Sequence, residues 1–199
     1  MLKALDVGIA GAGPAGLATA LYLHEQGHRV VLHERFEQPR PLGSGLIQQP
    51  TGLAVLADLG LFGKIAALGQ KLDRLRGTDA GSGRLVLDVR YDALNGPGRG
   101  LGVHRAALFD VLHEAVVAAG VEIRTGVTVS GLTSRTGGKR ALVSGNGAEY
   151  GPFDLIVDAL GAASPLKGFC RSPSTPRALR FGALWGTVPW VDDGFARAG

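Results

Sequence analysis

Three glycines near the start of the chain have the spacing of a phosphate-binding turn. They are Gly11, Gly13 and Gly16, and they separate a short apolar run, Leu5 to Ala10, from an apolar helical segment. In such a turn the first glycine allows a tight bend, the second lets the backbone approach a pyrophosphate, and the third lets helix and strand pack closely. The amide groups and the dipole at the helix start favour negative charge. The segment therefore predicts a site for a dinucleotide.

An acidic residue completes this pattern. A second strand is expected at Arg29 to His33, and Glu34 follows it, eighteen residues beyond Gly16. A carboxylate at this position can accept hydrogen bonds from the ribose hydroxyls of an adenosine. Glycines at this spacing are weak evidence alone, but the order strand, glycines, helix, strand and acid within about 30 residues is specific. A glycine-rich turn that binds nothing is the less favoured interpretation.

The composition is that of a globular protein with a core. The 199 residues are 45% hydrophobic, and the 32 glycines are scattered over turns without an internal repeat. The formal net charge is +4, but the basic residues form no run with interleaved aromatics, so we expect no nucleic-acid partner. No apolar run has the length of a membrane span and no signal peptide is recognisable, so we expect a cytoplasmic protein without a membrane partner. The single cysteine, Cys170, excludes a disulfide framework within the chain and a cysteine metal site.

The middle of the chain departs from a strict alternation of strand and helix. Phe36 to Pro50 is rich in proline and glycine and is expected to be a loop, and a short helix is expected from Thr51, its N-cap, to Leu59. Leu72 to Thr78 and Arg84 to Tyr91 have strand patterns and predict a β-hairpin. The hairpin indicates an antiparallel layer inserted into an α/β domain.

The second half returns to the α/β pattern. After a loop from Asn95 to Gly102, the segment Arg105 to Ala119 has one apolar face and predicts a helix that Gly120 ends. Further strands are expected at Val121 to Arg124, on both sides of Gly137-Gly138, at Asp154 to Ala159 as a buried strand, and at Arg180 to Val188.

Three stretches of the chain form a recognisable set. They are GAGPAG at 11–16 with the pair Glu34-Arg35, GLGVHRAALFDVLHEAV at 100–116, and DLIVDALGAASPLK at 154–167. In this order they resemble the flavin-dependent aromatic hydroxylases, single-component monooxygenases of the p-hydroxybenzoate hydroxylase type. The resemblance covers almost the whole chain. It implies an α/β fold, a Rossmann-like FAD-binding domain of the glutathione-reductase type with an inserted antiparallel β layer.

The resemblance also assigns the cofactor. FAD would lie across the first strand-helix-strand unit, NAD(P)H would reduce the flavin, and O2 would then serve to hydroxylate an aromatic small molecule. No side chain is assigned a catalytic function, because the flavin carries the chemistry. The residues expected to contact the cofactor lie along the glycine turn, the acidic strand end, the loop after it, the start of the second helix and the third stretch. They are Gly11, Gly13, Pro14, Ala15, Gly16, Glu34, Arg35, Arg40, Gly43, Ser44, Arg105, Asp158 and Gly161.

The chain departs from the family pattern at two points. Leu160 stands where the family has the Asp of an Asp-Gly pair, and Asp158, two residues earlier, is the candidate to replace it. The family's later G-D-A-A-H-x-x-x-P segment does not occur, so we expect the N-terminal portion of such a protein, with weak FAD binding. The expected domains are 1–71 and 99–170 as two segments of the FAD-binding domain, 72–98 as the β insertion, and 171–199 as the start of a truncated substrate domain.

Two other functions stay open at this point. One is a non-catalytic flavin-binding fragment or subunit that needs a missing C-terminal half or assembles with identical chains. The other is a FAD-dependent reductase that inserts no oxygen. The aromatic residues Tyr91, Trp185 and Trp190 are expected either to line a substrate pocket or to lie in the core.

A string that matches a zinc-protease motif is also present, His24-Glu25-Gln26-Gly27-His28. The motif needs both histidines on one face of a continuing helix, and Gly27 ends the helix first, so an ordinary helix end is favoured.

Overall fold

The computed structural model describes residues 3–38, 44–91, 99–170 and 182. The chain forms two compact units, one of Met1–Pro41 with Phe109–Arg180 and one of Leu42–Leu108 with Phe181–Gly199. The described residues form helices, a parallel sheet and antiparallel sheets, which confirms the predicted mixed α/β class. None of the described helices is both long and apolar enough to cross a membrane.

The first unit is built on a four-stranded parallel sheet in the order β12-β1-β2-β8. Helix α1 connects β1 to β2, and β12 pairs with the other side of β1. The strand order therefore reverses at β1, and ligands of open α/β sheets bind beyond the carboxyl ends of the strands at such a point. The elements are β1 (Asp6–Ala10), α1 (Pro14–Glu25), β2 (Arg29–His33), β8 (Glu122–Arg124), β12 (Leu155–Asp158) and most of α4 (Arg105–Ala118).

A three-stranded antiparallel sheet covers one face of this parallel sheet. Its order is β11-β10-β9, with β9 at Val129–Ser134, β10 at Arg140–Ser144 and β11 at Glu149–Phe153. The apolar cluster between the layers, here called the meander core, consists of Ala10, Val127, Val129, Leu142, Phe153 and Leu166. Short 3-10 helices follow at Thr136–Gly138, between β9 and β10, and at Pro165–Phe169, after β12.

The second unit contains two antiparallel sheets. The three-stranded sheet has the order β3-β7-β4, and the two-stranded sheet is the hairpin of β5 and β6. The elements are β3 (Gly45–Gln48), α2 (Pro50–Asp58), α3 (Phe62–Ala66), β4 (Gly69–Leu72), β5 (Arg74–Thr78), β6 (Leu85–Arg90) and β7 (Gly100–His104). Tyr91 is buried here, and its hydroxyl donates a hydrogen bond to Gln49 Oε1 at 3.0 Å, so this tyrosine belongs to the core and not to an open pocket.

Several predicted elements occur where the sequence placed them. The strand Arg29–His33, the hairpin of β5 and β6 and the helix from Arg105 are confirmed. Three expectations about the positions of elements are wrong. The loops predicted at 36–50 and 95–102 contain β3 and the start of β7, which pair with each other across more than fifty residues of sequence. Helix α2 begins at Pro50 with Gln49 as its N-cap, not at Thr51, because proline fits the first helical position.

Strand β12 is more exposed than the sequence predicted. β12 was expected to be buried, but among the described residues it is an edge strand, and Leu155 is 41% exposed. Its apolar sequence would suit a strand covered on both sides. The predicted strand at 180–188, including Trp185, and the other tryptophan, Trp190, lie outside the described residues.

Candidate cofactor site

The glycine turn between β1 and α1 leaves no room for side chains at two of its positions. Gly11 has φ +101°, and a Cβ atom there would lie 2.7 Å from the Ala159 carbonyl oxygen. A Cβ atom on Gly16 would lie 1.9 Å from the Gly11 carbonyl oxygen. Gly13 is different, because a Cβ atom built on it meets nothing within 4 Å. The first and third glycines thus form the turn, and the second faces open space.

The start of α1 is available to an anion. Gly13 is the N-cap, Pro14 occupies the first turn, and no side chain makes a capping hydrogen bond. Ala15 is exposed in the same turn, which contains no acidic residue. The unpaired amides and the positive end of the helix dipole therefore favour a phosphate at this position.

Glu34 is held in place by backbone amide groups. Its Oε2 accepts a hydrogen bond from the Ala12 amide at 2.8 Å, and its Oε1 accepts from the amides of Arg35 at 2.9 Å and Phe36 at 3.3 Å. The carboxylate consequently joins the end of β2 to the glycine turn. A carboxylate has about four acceptor positions, so Oε2 keeps capacity for a hydroxyl donor such as a ribose.

The loop after β12 lies against the glycine turn. The Ala159 amide donates a hydrogen bond to the Ala10 carbonyl at 2.8 Å. A Cβ atom built on Gly16 would lie 3.3 Å from the Cβ atom of Ala159. Gly161, a predicted cofactor residue, has φ +78° and turns the chain. The structure thus brings Gly11, Gly13, Pro14, Ala15, Gly16, Glu34, Asp158 and Gly161 together at the carboxyl ends of β1, β2 and β12.

Asp158 has its carboxylate oxygens engaged within its own loop. Oδ1 accepts from the Leu160 amide at 3.1 Å, and Oδ2 accepts from the Ser164 hydroxyl at 2.6 Å. Leu160, at the position of the family's Asp, packs against the meander core. An aspartate would not be stable against that apolar cluster without a partner, which gives a physical reason for leucine there.

The remaining predicted residues are not all in this group. Arg35 is exposed, with its guanidinium carbon 4.7 Å from the centre of the Phe36 ring. Ser44 and Arg105 lie in the second unit, where the Arg105 amide donates to the Ser44 carbonyl at 3.1 Å and the arginine is exposed at the first position of α4. Arg40 and Gly43 lie outside the described residues.

The histidines singled out in the sequence have identifiable environments. His28 Nδ1 accepts a hydrogen bond from the Leu5 amide at 3.3 Å, which connects the turn after α1 to the start of β1. His24 is exposed in the last turn of α1. His104 is exposed at the end of β7. Within the described part of the chain, no group of three or more His, Cys, Asp or Glu side chains is arranged to hold a metal ion.

His33 is an ionisable group in the core beneath the site. It is fully buried at the end of β2, with Tyr150 and Phe153 packed edge-on against its ring at 5.1 and 5.7 Å. Burial, and then the positive charge of Arg124, lower its pKa from 6.5 to about 4. The carbonyls of Ile9 and Val31 and the charge of Glu122 oppose this shift, but neither ring nitrogen has a partner in hydrogen-bond geometry among the described residues. The ring is therefore neutral at physiological pH.

Sequence reasoning missed three contributors to this site. The Ala12 amide holds Glu34, Ala159 lies against the glycine turn, and Ser164 bonds to Asp158. Ser164 alone had a local signal, because serine followed by proline is typical of a helix start, and its oxygen accepts from the Leu166 amide at 3.0 Å. The other two depend on contacts between distant segments.

The fold and the site together define a class. A parallel sheet that reverses at β1, an uncapped glycine-rich helix start and an amide-held carboxylate at the end of the next strand are the features of a dinucleotide-binding α/β protein. The chain belongs to the FAD-binding domain family, whose pattern matches residues 4–159. The resemblance drawn from the three sequence stretches is thereby confirmed, with FAD as the cofactor.

Individual relatives and structures agree with this family. Phenazine 1,6-dicarboxylic acid hydroxylase PhzS of Lysobacter antibioticus is 40% identical over 169 residues, covering 81% of this chain and 42% of that protein. The 6-methylpretetramide 4-monooxygenase of Streptomyces rimosus is 33% identical and is matched over 41% of its length by 84% of this chain. The crystal structure of 2-methyl-3-hydroxypyridine-5-carboxylic acid oxygenase matches 82% of this chain and 41% of its own, with a TM-score of 0.68 and 25% identity. The chain therefore spans about two fifths of the length of these relatives.

The residues present fit FAD on structural grounds. The glycine turn forms a cradle that is open above Gly13, the helix start lacks a cap, and Glu34 keeps acceptor capacity. A pyrophosphate and an adenosine ribose are the groups that these three features would bind.

Proposed function

We propose that the chain is the FAD-binding portion of a monooxygenase that hydroxylates an aromatic small molecule with NAD(P)H and O2. The observation that carries the proposal is the uncapped start of α1, open above Gly13 and flanked by the amide-held carboxylate of Glu34. A cytoplasmic location and the domain limits at 71, 98 and 170 are parts of the same proposal.

The protein's own residues bind and orient the cofactor in this proposal. The backbone amides of Gly13, Ala15 and Gly16 at the start of α1 donate to the pyrophosphate, and Glu34 accepts from the adenosine ribose. The positive charge of Arg35 attracts the phosphates. The cofactor contacts expected of Arg105 and Ser44, which belong to the second unit, stay predictions. FAD supplies the redox chemistry when bound, while the protein excludes water and positions the substrate.

The proposed aromatic substrate class rests on the compounds for which the relatives are named. A phenazine dicarboxylic acid, a pretetramide and a hydroxypyridine carboxylic acid are all aromatic ring systems with polar substituents. We propose a substrate of this general chemistry, an aromatic ring activated by oxygen or nitrogen.

The first experiment is a visible absorption spectrum of the purified chain after addition of FAD and removal of the excess. Because weak binding is expected of this chain, the wild type and Gly13→Val are compared for the flavin that each retains. We expect less in the variant, because a Cβ atom at this position meets no protein atom within 4 Å and the valine side chain would occupy the space beside the helix start. The backbone at Gly13, φ −71° and ψ 175°, is extended and accepts valine, so the variant should fold normally. Gly63→Val in α3 is the matched control, because a Cβ atom built on Gly63 also meets no atom within 4 Å. This variant should retain as much flavin as the wild type.

The outcomes separate the alternatives. Equal flavin retention in Gly13→Val and the wild type would contradict the assignment of the glycine turn. If the loaded protein, extended to the length of its relatives, oxidises NAD(P)H with an aromatic acceptor and forms no oxygenated product, the reductase alternative replaces the monooxygenase. A wild type that retains no flavin until it is extended would support the fragment alternative for this chain.

A further inference from the structure

The loop that follows β12 is closed by its own hydrogen bonds. The Asp158 carboxylate accepts two of them, from the Leu160 amide and from the Ser164 hydroxyl. A third runs from the Ser164 amide to the Gly161 carbonyl at 3.1 Å. Ser164 is 7% exposed, and its hydroxyl oxygen also accepts a hydrogen bond from the Leu166 amide. The hydroxyl therefore connects the Asp158 carboxylate to the short helix Pro165–Phe169. The carboxylate and hydroxyl together are here called the Asp158–Ser164 pair.

This pair fixes the part of the loop that touches the cofactor turn. Ala159, next to Asp158, has its carbonyl oxygen 2.7 Å from the Cβ position of Gly11 and its Cβ 3.3 Å from that of Gly16. A shift of the loop would therefore move atoms that are already at contact distance from two glycines of the turn. The other anchor of the loop is Leu160, which packs in the meander core.

We propose that Asp158 and Ser164 are positioning residues for the cofactor, acting through one hydrogen bond rather than by contact with FAD. The bond holds the backbone from Ala159 to Gly161 against the glycine turn and so keeps the turn in the shape that receives a pyrophosphate. Asp158, which the sequence suggested as a direct flavin ligand, is thereby assigned to the loop. The inference rests on FAD binding by this chain.

The test is the FAD affinity of single and double variants, measured from the quenching of flavin fluorescence. Ser164→Ala should raise the Kd by about tenfold, as expected for loss of a hydrogen bond to a charged group, and Asp158→Ala, which also removes the acceptor of the Leu160 amide, should raise it by at least as much. The double variant should be no weaker than the worse single variant, because both changes remove the same bond. Ser164→Thr keeps the hydroxyl and should restore the Kd to near the wild-type value.

A matched control exists in the other unit. Ser82 donates to Asp79 Oδ1 at 2.6 Å in the turn between β5 and β6, a serine–aspartate bond of the same length in a turn. Ser82→Ala should leave the Kd of FAD unchanged. A merely structural function of the Asp158–Ser164 pair would lower the melting temperature of Ser164→Ala without changing the Kd of the folded protein, and that result would overturn the proposal.

Other results also decide against it. If Asp158→Ala weakens FAD binding while Ser164→Ala does not, the carboxylate acts independently of Ser164. Additive losses in the double variant would show two independent effects.

A wild type that fails to bind FAD would contradict the proposed function and not the pair itself, which amide hydrogen exchange then tests. Ser164→Ala removes the acceptor of the Leu166 amide and the donor to Asp158 Oδ2. It should therefore lower the protection of the Leu160 amide as well, because that amide bonds to the carboxylate that Ser164 holds, and unchanged protection of Leu160 would overturn the pair.

Discussion

His33 shows how burial of a single side chain creates a pH-dependent stability. Folding moves its ring from water into an apolar site beside Tyr150 and Phe153, where the charged form is disfavoured. The folded pKa of about 4 lies below the ordinary 6.5. The unfolded chain therefore binds a proton between these pH values and the folded chain does not, so stability is full above pH 6.5 and falls as the pH drops towards 4.

We expect this histidine to remove about 3 kcal/mol from the free energy of unfolding between pH 6.5 and 4. The measurement is urea denaturation across that range. His33→Leu should flatten the part of the profile due to this group, since leucine has no charge to gain. His24→Gln changes an exposed histidine in α1 and should leave the profile as in the wild type. A wild-type profile that His33→Leu does not change would show that folding does not shift the pKa of this ring.

The elements of the first unit follow from local sequence, and their packing follows from contacts between layers. The apolar run of β1, the glycine turn and the apolar segment of α1 were sufficient to predict the β1-α1-β2 part of that unit. β3 and β7 were missed because glycines interrupt their patterns, and each strand is stabilised by pairing with the other. Local pattern cannot reveal a strand whose main stabilising contacts come from a partner distant in the chain.

Gly8 in the middle of β1 is one such contact between layers. A Cβ atom there would lie 2.5 Å from a ring carbon of Phe153, so the aromatic ring of β11 lies directly on the glycine. Gly8→Ala should lower the free energy of unfolding by about 1–3 kcal/mol, because the ring must move within a packed core. Urea denaturation measures this.

A glycine in a second strand provides the comparison for Gly8. Gly45 in β3 has its nearest atom 3.8 Å from the Cβ position, so Gly45→Ala should cost much less. Gly8→Ala combined with Phe153→Leu should recover part of the loss, since the smaller side chain makes room. Equal effects of the two alanine substitutions would contradict the described packing of β11 on β1.

At the scale of the whole molecule, the hairpin of β5 and β6 has unusually exposed apolar residues. Leu85, Val86, Leu87 and Val89 are 42–57% exposed, and every residue of β6 is exposed in the structure. A two-stranded sheet without a covering layer is only marginally stable in water. The charged residues of the hairpin include the pair Arg74 and Asp88, whose hydrogen bonds of 2.7 and 2.8 Å connect the two strands.

We expect this surface to make the chain associate with itself and bind an apolar dye. Val86→Thr combined with Leu87→Thr keeps strand preference but removes apolar surface, and should reduce both dye fluorescence and the weight-average mass in sedimentation velocity. Val117→Thr in α4 is the control, because that residue is 56% exposed on a helix outside the hairpin. Unchanged association in the hairpin variant would show that another surface is responsible.

The sequence by itself determined the class of site and cofactor. The glycine spacing, the helix start and Glu34 lie within one short segment, so their geometry is fixed by neighbouring residues and can be read locally. Only the tertiary structure showed the contacts of Asp158 and Leu160. Asp158 accepts a hydrogen bond from Ser164, and Leu160 packs against the meander core between the two layers. The tertiary structure also showed that Glu34 bonds to Ala12 across the turn and that β12 is an edge strand among the described residues. These features depend on which segments pack together, and side chains that are distant in sequence determine that packing.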